Sequence, residues 1–122
     1  MVTPKPYHEE RPWGAFVEFS KNTPSTVKLL TVNAGEALSL QKHTKRSEFW
    51  RVISGTGFIT VGKDRTPAKP EMEYFISEGT EHRIEGGVEP LVVLEISFGT
   101  FEDDDIIRLE DRYGRISAPN LK

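Results

Sequence analysis

Apolar residues in this sequence almost never keep the 3.6-residue period of an amphipathic helix. They fall in short β-rich runs cut off by turn residues roughly every 8 to 12 positions. Such a pattern points to an antiparallel sandwich or barrel. The strands expected are Ala15–Phe19, Thr26–Val32, an extended Ala37–His43, Glu48–Ile53, Phe58–Val61, Glu73–Ser77, His82–Glu85 and Leu91–Phe98. Arg11-Pro12-Trp13-Gly14 is a rigid entry to the first, and Gly62-Lys63-Asp64 reads as a hairpin turn. Beyond residue 100 the pattern changes. Glu102-Asp103-Asp104-Asp105 fits either the start of a short helical turn or a solvated loop. Residues 116–122 read as a frayed tail.

The expected fold is therefore all-β, in one domain of 122 residues with a core over about 12–100 and a C-terminal extension over about 101–122. A formal net charge of −3 gives no general pull toward nucleic acid or membrane. No apolar run approaches the roughly 20 residues that span a bilayer. Met1-Val2-Thr3-Pro4-Lys5-Pro6 lacks the apolar stretch of a signal peptide, so a cytoplasmic location is expected. There is no cysteine, which excludes disulfides and thiolate metal sites. Any metal must be held by His, carboxylate or amide oxygen, and the histidines are only His8, His43 and His82.

The richest segment runs from Gly35 to Gly55. Five residues separate Gly35 from Gln41, one separates Gln41 from His43, four lie before Glu48 and six before Gly55. A period of two puts Gln41 and His43 on one strand face, and a tight turn through Thr44 to Ser47 can return Glu48 to it. His82, behind Glu78-Gly79-Thr80-Glu81, can close the set. Two imidazoles, a carboxylate and an amide oxygen suit a divalent first-row metal. Two strand histidines at this spacing by accident is the alternative, and four residues between correctly placed glycines weigh against it.

This spacing resembles the first motif of the cupins, with Gln41 where many cupins have a histidine. The second motif is looser: Gly79 and His82 match, while Ser77, Glu71 and Gly86 depart at turn and loop positions. Gln41 narrows the resemblance to phosphomannose isomerases, whose ligands are Gln, His, Glu and His. The chain is similar to the isomerase domain of the type II mannose-6-phosphate isomerases over roughly residues 8 to 116. The matching stretches include Arg11-Pro12-Trp13-Gly14, Leu38-Ser39-Leu40-Gln41-Lys42-His43, Arg46-Ser47-Glu48-Phe49-Trp50, His82-Arg83-Ile84, Asp104-Asp105-Ile106-Ile107-Arg108 and Asp111-Arg112-Tyr113-Gly114-Arg115. Asp103 stands where that family usually has Glu. Many type II enzymes carry this domain behind a nucleotidyltransferase, and no Gly-rich nucleotide loop opens this sequence. Guanylyltransferase activity is therefore not expected.

The resemblance implies a cupin jelly-roll barrel, a divalent metal (zinc first, with Mn, Co, Ni and Fe compatible) on Gln41, His43, Glu48 and His82, a sugar-phosphate substrate and a homodimer. It further implies isomerisation of mannose 6-phosphate to fructose 6-phosphate through an enediol. Such chemistry needs a Lewis acid and a positioned base. Lys28 sits in a β-branched strand as sugar ligand or proton-transfer group, or as an edge lysine that discourages aggregation. Glu95 is the only charge in Leu91–Phe98; facing inward it becomes a candidate base, facing outward an ordinary carboxylate. Arg46 and Arg108 are the first candidates for phosphate, with Arg83 and Arg115 behind them. Trp50 and Trp13 can stack on a sugar ring, although core packing is the commoner use. A non-catalytic sugar-binding cupin and a metal-dependent oxygenase are the competing functions.

Overall fold

The computed structural model describes residues 5–100 and 102–114. Expectations about residues 1–4, Arg115, the tail 116–122 and the side chain of Asp103 lie outside the described residues. Two antiparallel sheets form the body of the fold. One has the order β3 (Ser25–Val32), β10 (Leu91–Gly99), β5 (Arg46–Ser54), β8 (Glu73–Ile76). The other has the order β11 (Ile107–Glu110), β4 (Leu40–Lys42), β9 (His82–Gly86), β6 (Gly57–Val61), β7 (Asp64–Ala68). A separate hairpin pairs β1 (Tyr7–Arg11) with β2 (Gly14–Glu18). Crossovers between the sheets give a jelly-roll sandwich, as the resemblance implied.

Strand alternation shows why the sheets stack. On β10, Leu91, Val93, Glu95 and Ser97 share one face; on β5, Arg46, Glu48, Trp50 and Val52 do. The register sets Val93 against Val52, Glu95 against Trp50, Ser97 against Glu48 and Gly99 against Arg46. This inner face is apolar at one end and charged at the other. The apolar end joins Val32, Ile59, Ile76 and Ile84 in the core, where each side chain contributes about 1.5–3 kcal/mol of burial. The charged end therefore opens within the sandwich rather than at its surface. Gly55 closes the turn after β5 at φ 94°, and a Cβ there would lie 1.8 Å from the Pro90 carbonyl oxygen, so glycine is required on both counts.

The outer face of the four-stranded sheet carries a second apolar layer of Phe49, Ile96 and Phe98, covered in part by Phe19 and Leu94. Val27 and Leu29, in register with Ile96 and Leu94, remain 60% and 64% exposed along its edge. No helix among the described residues is long and apolar enough to cross a membrane.

Three strands depart from the sequence expectation, all in solvent-facing positions. β1 is Tyr-His-Glu-Glu-Arg, too polar to show a buried face. β7 contains Pro67, which an edge strand tolerates because its N–H side needs no partner. β11, Ile-Arg-Leu-Glu, pairs with the short β4; its apolar-polar alternation spans only four residues behind the acidic run. Conversely, the extended Ala37–His43 is a strand only over Leu40–Lys42, with an isolated bridge between Ala37 and Glu85. The acidic run forms a 3-10 turn, Asp103–Asp105.

Candidate metal centre

Both sheets send side chains to the polar end of the sandwich. β4 brings Gln41 into register with His82 of β9, β5 supplies Glu48, and His43 lies just beyond β4. His43, Glu48 and His82 are buried and offer ligand atoms that lie within 4.8 Å of one another. The imidazole centroids of His43 and His82 are 4.6 Å apart. His8, on the exposed hairpin, pairs with Glu10 and takes no part.

Each imidazole is oriented by a backbone carbonyl. His43 Nδ1 is 3.2 Å from the Arg46 oxygen, and His82 Nδ1 is 2.8 Å from the Thr80 oxygen. A carbonyl can only accept, so both Nδ1 atoms carry the proton and both Nε2 atoms face Glu48. His43 Nε2 lies 3.2 Å from Glu48 Oε2 and His82 Nε2 lies 3.8 Å from Oε1. The turn before His82 is fixed by Gly79, at φ 81°, whose N–H donates to the His43 carbonyl at 2.8 Å.

Glu48 accepts from Arg46 Nε (3.1 Å), Trp50 Nε1 (3.0 Å) and Ser97 Oγ (3.3 Å). Burial is the largest influence and opposes its charge, but His43, His82 and Arg46 together outweigh it and hold the carboxyl at about 2. Burial lowers His82 to about 4 against the attraction of Glu48, so it stays neutral near pH 7. The donor set passes a chemical test for a cation. His43 Nε2 is buried and makes no hydrogen bond, yet it faces an ionised carboxylate. An imidazole nitrogen and a carboxylate so close together call for a positive charge between them, which a proton on Nε2 or a bound cation supplies. A divalent metal held by His43, Glu48 and His82 satisfies all three. Gln41 lines the same cavity and donates its amide to Ser39 Oγ at 3.1 Å, so its carbonyl oxygen is the atom able to ligate.

The cavity, about 130 Å³, is lined on its polar side by Lys28, Gln41, Arg46, Glu48, Trp50, His82 and Glu95. Leu30, Leu38 and Ile106 form its apolar side. Glu95 does face inward. Its Oε2 accepts from Trp50 Nε1 at 3.3 Å, so one indole N–H serves both carboxylates. Burial first, then repulsion from Glu48, raises Glu95 to about 8, with Lys28 and Arg46 pulling the other way. The two carboxyls are thus split, one ionised and one neutral near pH 7. Lys28, in register with Glu95, is exposed at the rim of the cavity.

The other sequence candidates divide between the cavity wall and the rest of the surface. Arg46 lines the cavity but is buried against Glu48. Trp50 is buried and edge-on to His82 at 5.4 Å, while Trp13 is exposed. Arg83 faces away from the cavity: its Nε donates to the Leu38 carbonyl at 3.0 Å and its Nη1 to Glu110 Oε1 at 3.2 Å, tying β9 to β11. Arg108 lies on β11 in register with Gln41 and is not among the cavity's lining residues. Sequence reading missed Ser97, although it follows Glu95 by two and so shares its face. In sequence Asp105 belongs to a charge run and to a stretch matching the type II family, with no role attached; it is buried, and it binds the loop that carries His43. Burial would raise its pKa, but bonds from Lys45, Thr44 and the Thr44 hydroxyl outweigh burial and lower it.

Comparison with known proteins gives this geometry a context. Residues 5–111 match the family described as mannose-6-phosphate isomerase C-terminal. The xanthan biosynthesis protein XanB of Xanthomonas campestris is 39% identical over 107 residues, covering 86% of this chain and 23% of that protein. The mannose-1-phosphate guanylyltransferase ManC of Salmonella typhimurium is 37% identical over 108 residues, covering 87% of this chain and 22% of that protein. The chain thus spans less than a quarter of the length of these relatives. Among solved structures, a cupin protein from Bacteroides fragilis has a TM-score of 0.58 at 21% identity, covering 66% of this chain and 71% of that one. NovW, a 4-keto-6-deoxy sugar epimerase from Streptomyces spheroides, has a TM-score of 0.66 at 13% identity, covering 84% and 65%. At these identities the structural likeness concerns the fold.

Proposed function

The chain belongs to the mannose-6-phosphate isomerase C-terminal family, a cupin family of sugar metabolism, and on that premise we propose that it interconverts mannose 6-phosphate and fructose 6-phosphate. The observation that supports this most is the Glu95 carboxyl facing one small cavity beside the His43, Glu48 and His82 cluster. Gln41, His43, Glu48 and His82 would hold a divalent metal, zinc first, which when bound supplies Lewis-acid polarisation of the sugar's oxygens. Glu95 is the base. It is buried beside the cavity, its pKa of about 8 lies near working pH, and among the described residues no other carboxyl shares the lining with Glu48. In its ionised form Glu95 takes the proton from C2 of the open-chain aldose and returns it to C1, while the C2 hydroxyl proton passes to the C1 oxygen, which completes the isomerisation. Trp50 keeps Glu95 oriented and separated from Glu48 by sharing its N–H.

At about 130 Å³ the cavity is smaller than the roughly 300 Å³ at which ligand pockets begin, so it takes the reacting end of the sugar alone. The phosphate then lies at the rim, where Lys28 is the exposed cation. Val27 and Leu29, apolar and exposed beside it on β3, are the surface on which a second copy would pack. Steady-state kinetics test these roles. Glu95→Gln should lower kcat by about 100-fold or more with little change in KM, and Lys28→Met should raise KM. A Glu95→Gln protein with wild-type kcat would overturn the assignment. Tight sugar-phosphate binding without turnover in the wild type would favour a binding protein instead.

A further inference from the structure

The 3-10 turn Asp103–Asp105 reaches back to the loop between β4 and β5. Asp105 is only 8% exposed, although it ends an acidic run. Its oxygens accept from Thr44 N at 3.1 and 3.2 Å, from Thr44 Oγ1 at 2.8 Å and from Lys45 N at 2.9 Å. Thr44 and Lys45 are the whole connection between His43 and Arg46. The Arg46 carbonyl is in turn the acceptor that fixes the His43 ring. One carboxylate therefore binds both successive N–H groups of the link that sets the ring's orientation. A second tie, Thr100 N to the Lys45 carbonyl at 3.1 Å, holds the same link from β10's side. The residue after Asp105 is Ile106, which lines the cavity, and β11 then runs on to pair with Gln41.

We propose that Asp105 is a positioning residue: it aims His43 Nε2 at Glu48 through the Thr44-Lys45 link and anchors Ile106 as the cavity's apolar wall. This rests on the metal-centre reading of the site and is independent of which sugar is turned over. The same shape without the negative charge should not suffice, because an amide places N–H groups against the N–H of Thr44 or Lys45. Outer partners that orient metal-ligating histidines alter metal affinity by about 10–100-fold when removed, and Asp105 acts one step further out through the backbone.

The test is nitrogen NMR of the imidazoles in metal-free protein, followed by Co(II) titration of the same samples. In the wild type, His43 and His82 should each show one tautomer with the proton on Nδ1. Asp105→Asn should move the His43 signals toward tautomer averaging while His82, held by Thr80, stays as an internal standard. Its Co(II) affinity should fall about 10-fold or more, with an altered Co(II) absorption spectrum. Thr44→Val, which removes only the hydroxyl bond, should shift His43 less in the same direction, and Thr44→Ser should restore the wild-type signals. A folded Asp105→Asn or Thr44→Val protein with unshifted His43 signals would overturn the proposal, as would equal shifts at both histidines. A wild type that binds no Co(II) would instead contradict the metal centre, and the histidine signals would still decide the role of Asp105.

Discussion

Replacing Glu95 with glutamine in metal-free protein should make the fold more stable near neutral pH and leave it unchanged in acid. The folded state holds the Glu95 proton until about pH 8, whereas the unfolded chain releases it near the ordinary value of 4.5. Between those values the unfolded state binds fewer protons, so wild-type stability falls as pH rises. The contribution is fully present below about 4.5 and lost on the way to 8. At 1.36 kcal/mol for each pH unit, the loss reaches about 3 kcal/mol by pH 7. The amide introduced by Glu95→Gln cannot ionise, and its carbonyl can still accept from Trp50 Nε1, so this pH dependence should vanish from the variant. Urea unfolding of both chelated proteins at pH 5, 6, 7 and 8 measures the difference, and groups common to both cancel. A stability gap that opens by about 2 kcal/mol or more from pH 5 to 7, in favour of Glu95→Gln, is expected. A gap constant across that range would show that Glu95 ionises normally in the fold, and the split pair would be refuted.

Other perturbations probe separate parts of the site. His82→Ala should weaken Co(II) or Zn(II) binding by more than about 100-fold, beyond the range of outer-shell effects, as measured by competition with a chelating dye. Arg46→Met leaves the buried Glu48 carboxylate without its charged partner and should cost about 3–5 kcal/mol in urea unfolding of the metal-free protein. Gly55→Ala combines a positive φ with a Cβ 1.8 Å from Pro90 oxygen and should destabilise by about 3 kcal/mol or more, read as a lowered urea midpoint. The wild type is expected to sediment as a dimer packed through β3 and Leu29→Lys as a monomer; a monomeric wild type or an unchanged distribution would remove β3 as the interface.

The fold class was legible because turn residues interrupt every β-rich run. The His43, Glu48 and His82 cluster was legible because a tight turn after His43 can return Glu48 to the same side of the sheet. Edge and polar strands were not. β1 and β11 bury no alternating face, and Pro67 masks β7, so their pairing depends on neighbours that no local pattern reveals. The inward turn of Glu95 needed the register of β10 against β5, since a lone carboxylate in an apolar strand fits either face. The arginines were the least readable. Arg46 and Arg83 are drawn to carboxylates and carbonyls that come together only in the folded chain, so a count of cations in sequence says little about which one meets a phosphate.

The most direct test of the isomerase reading starts from chelated protein, with mannose 6-phosphate and fructose 6-phosphate supplied in separate samples and followed by NMR in deuterated water. Restoring Zn, Mn, Co or Ni one at a time should drive both samples to a common equilibrium, with deuterium entering the carbon next to the carbonyl. His82→Ala should stay inert with every metal. Tight metal binding with neither sugar phosphate converted by any of the four metals would contradict the isomerase assignment and leave a cupin whose ligand is something else.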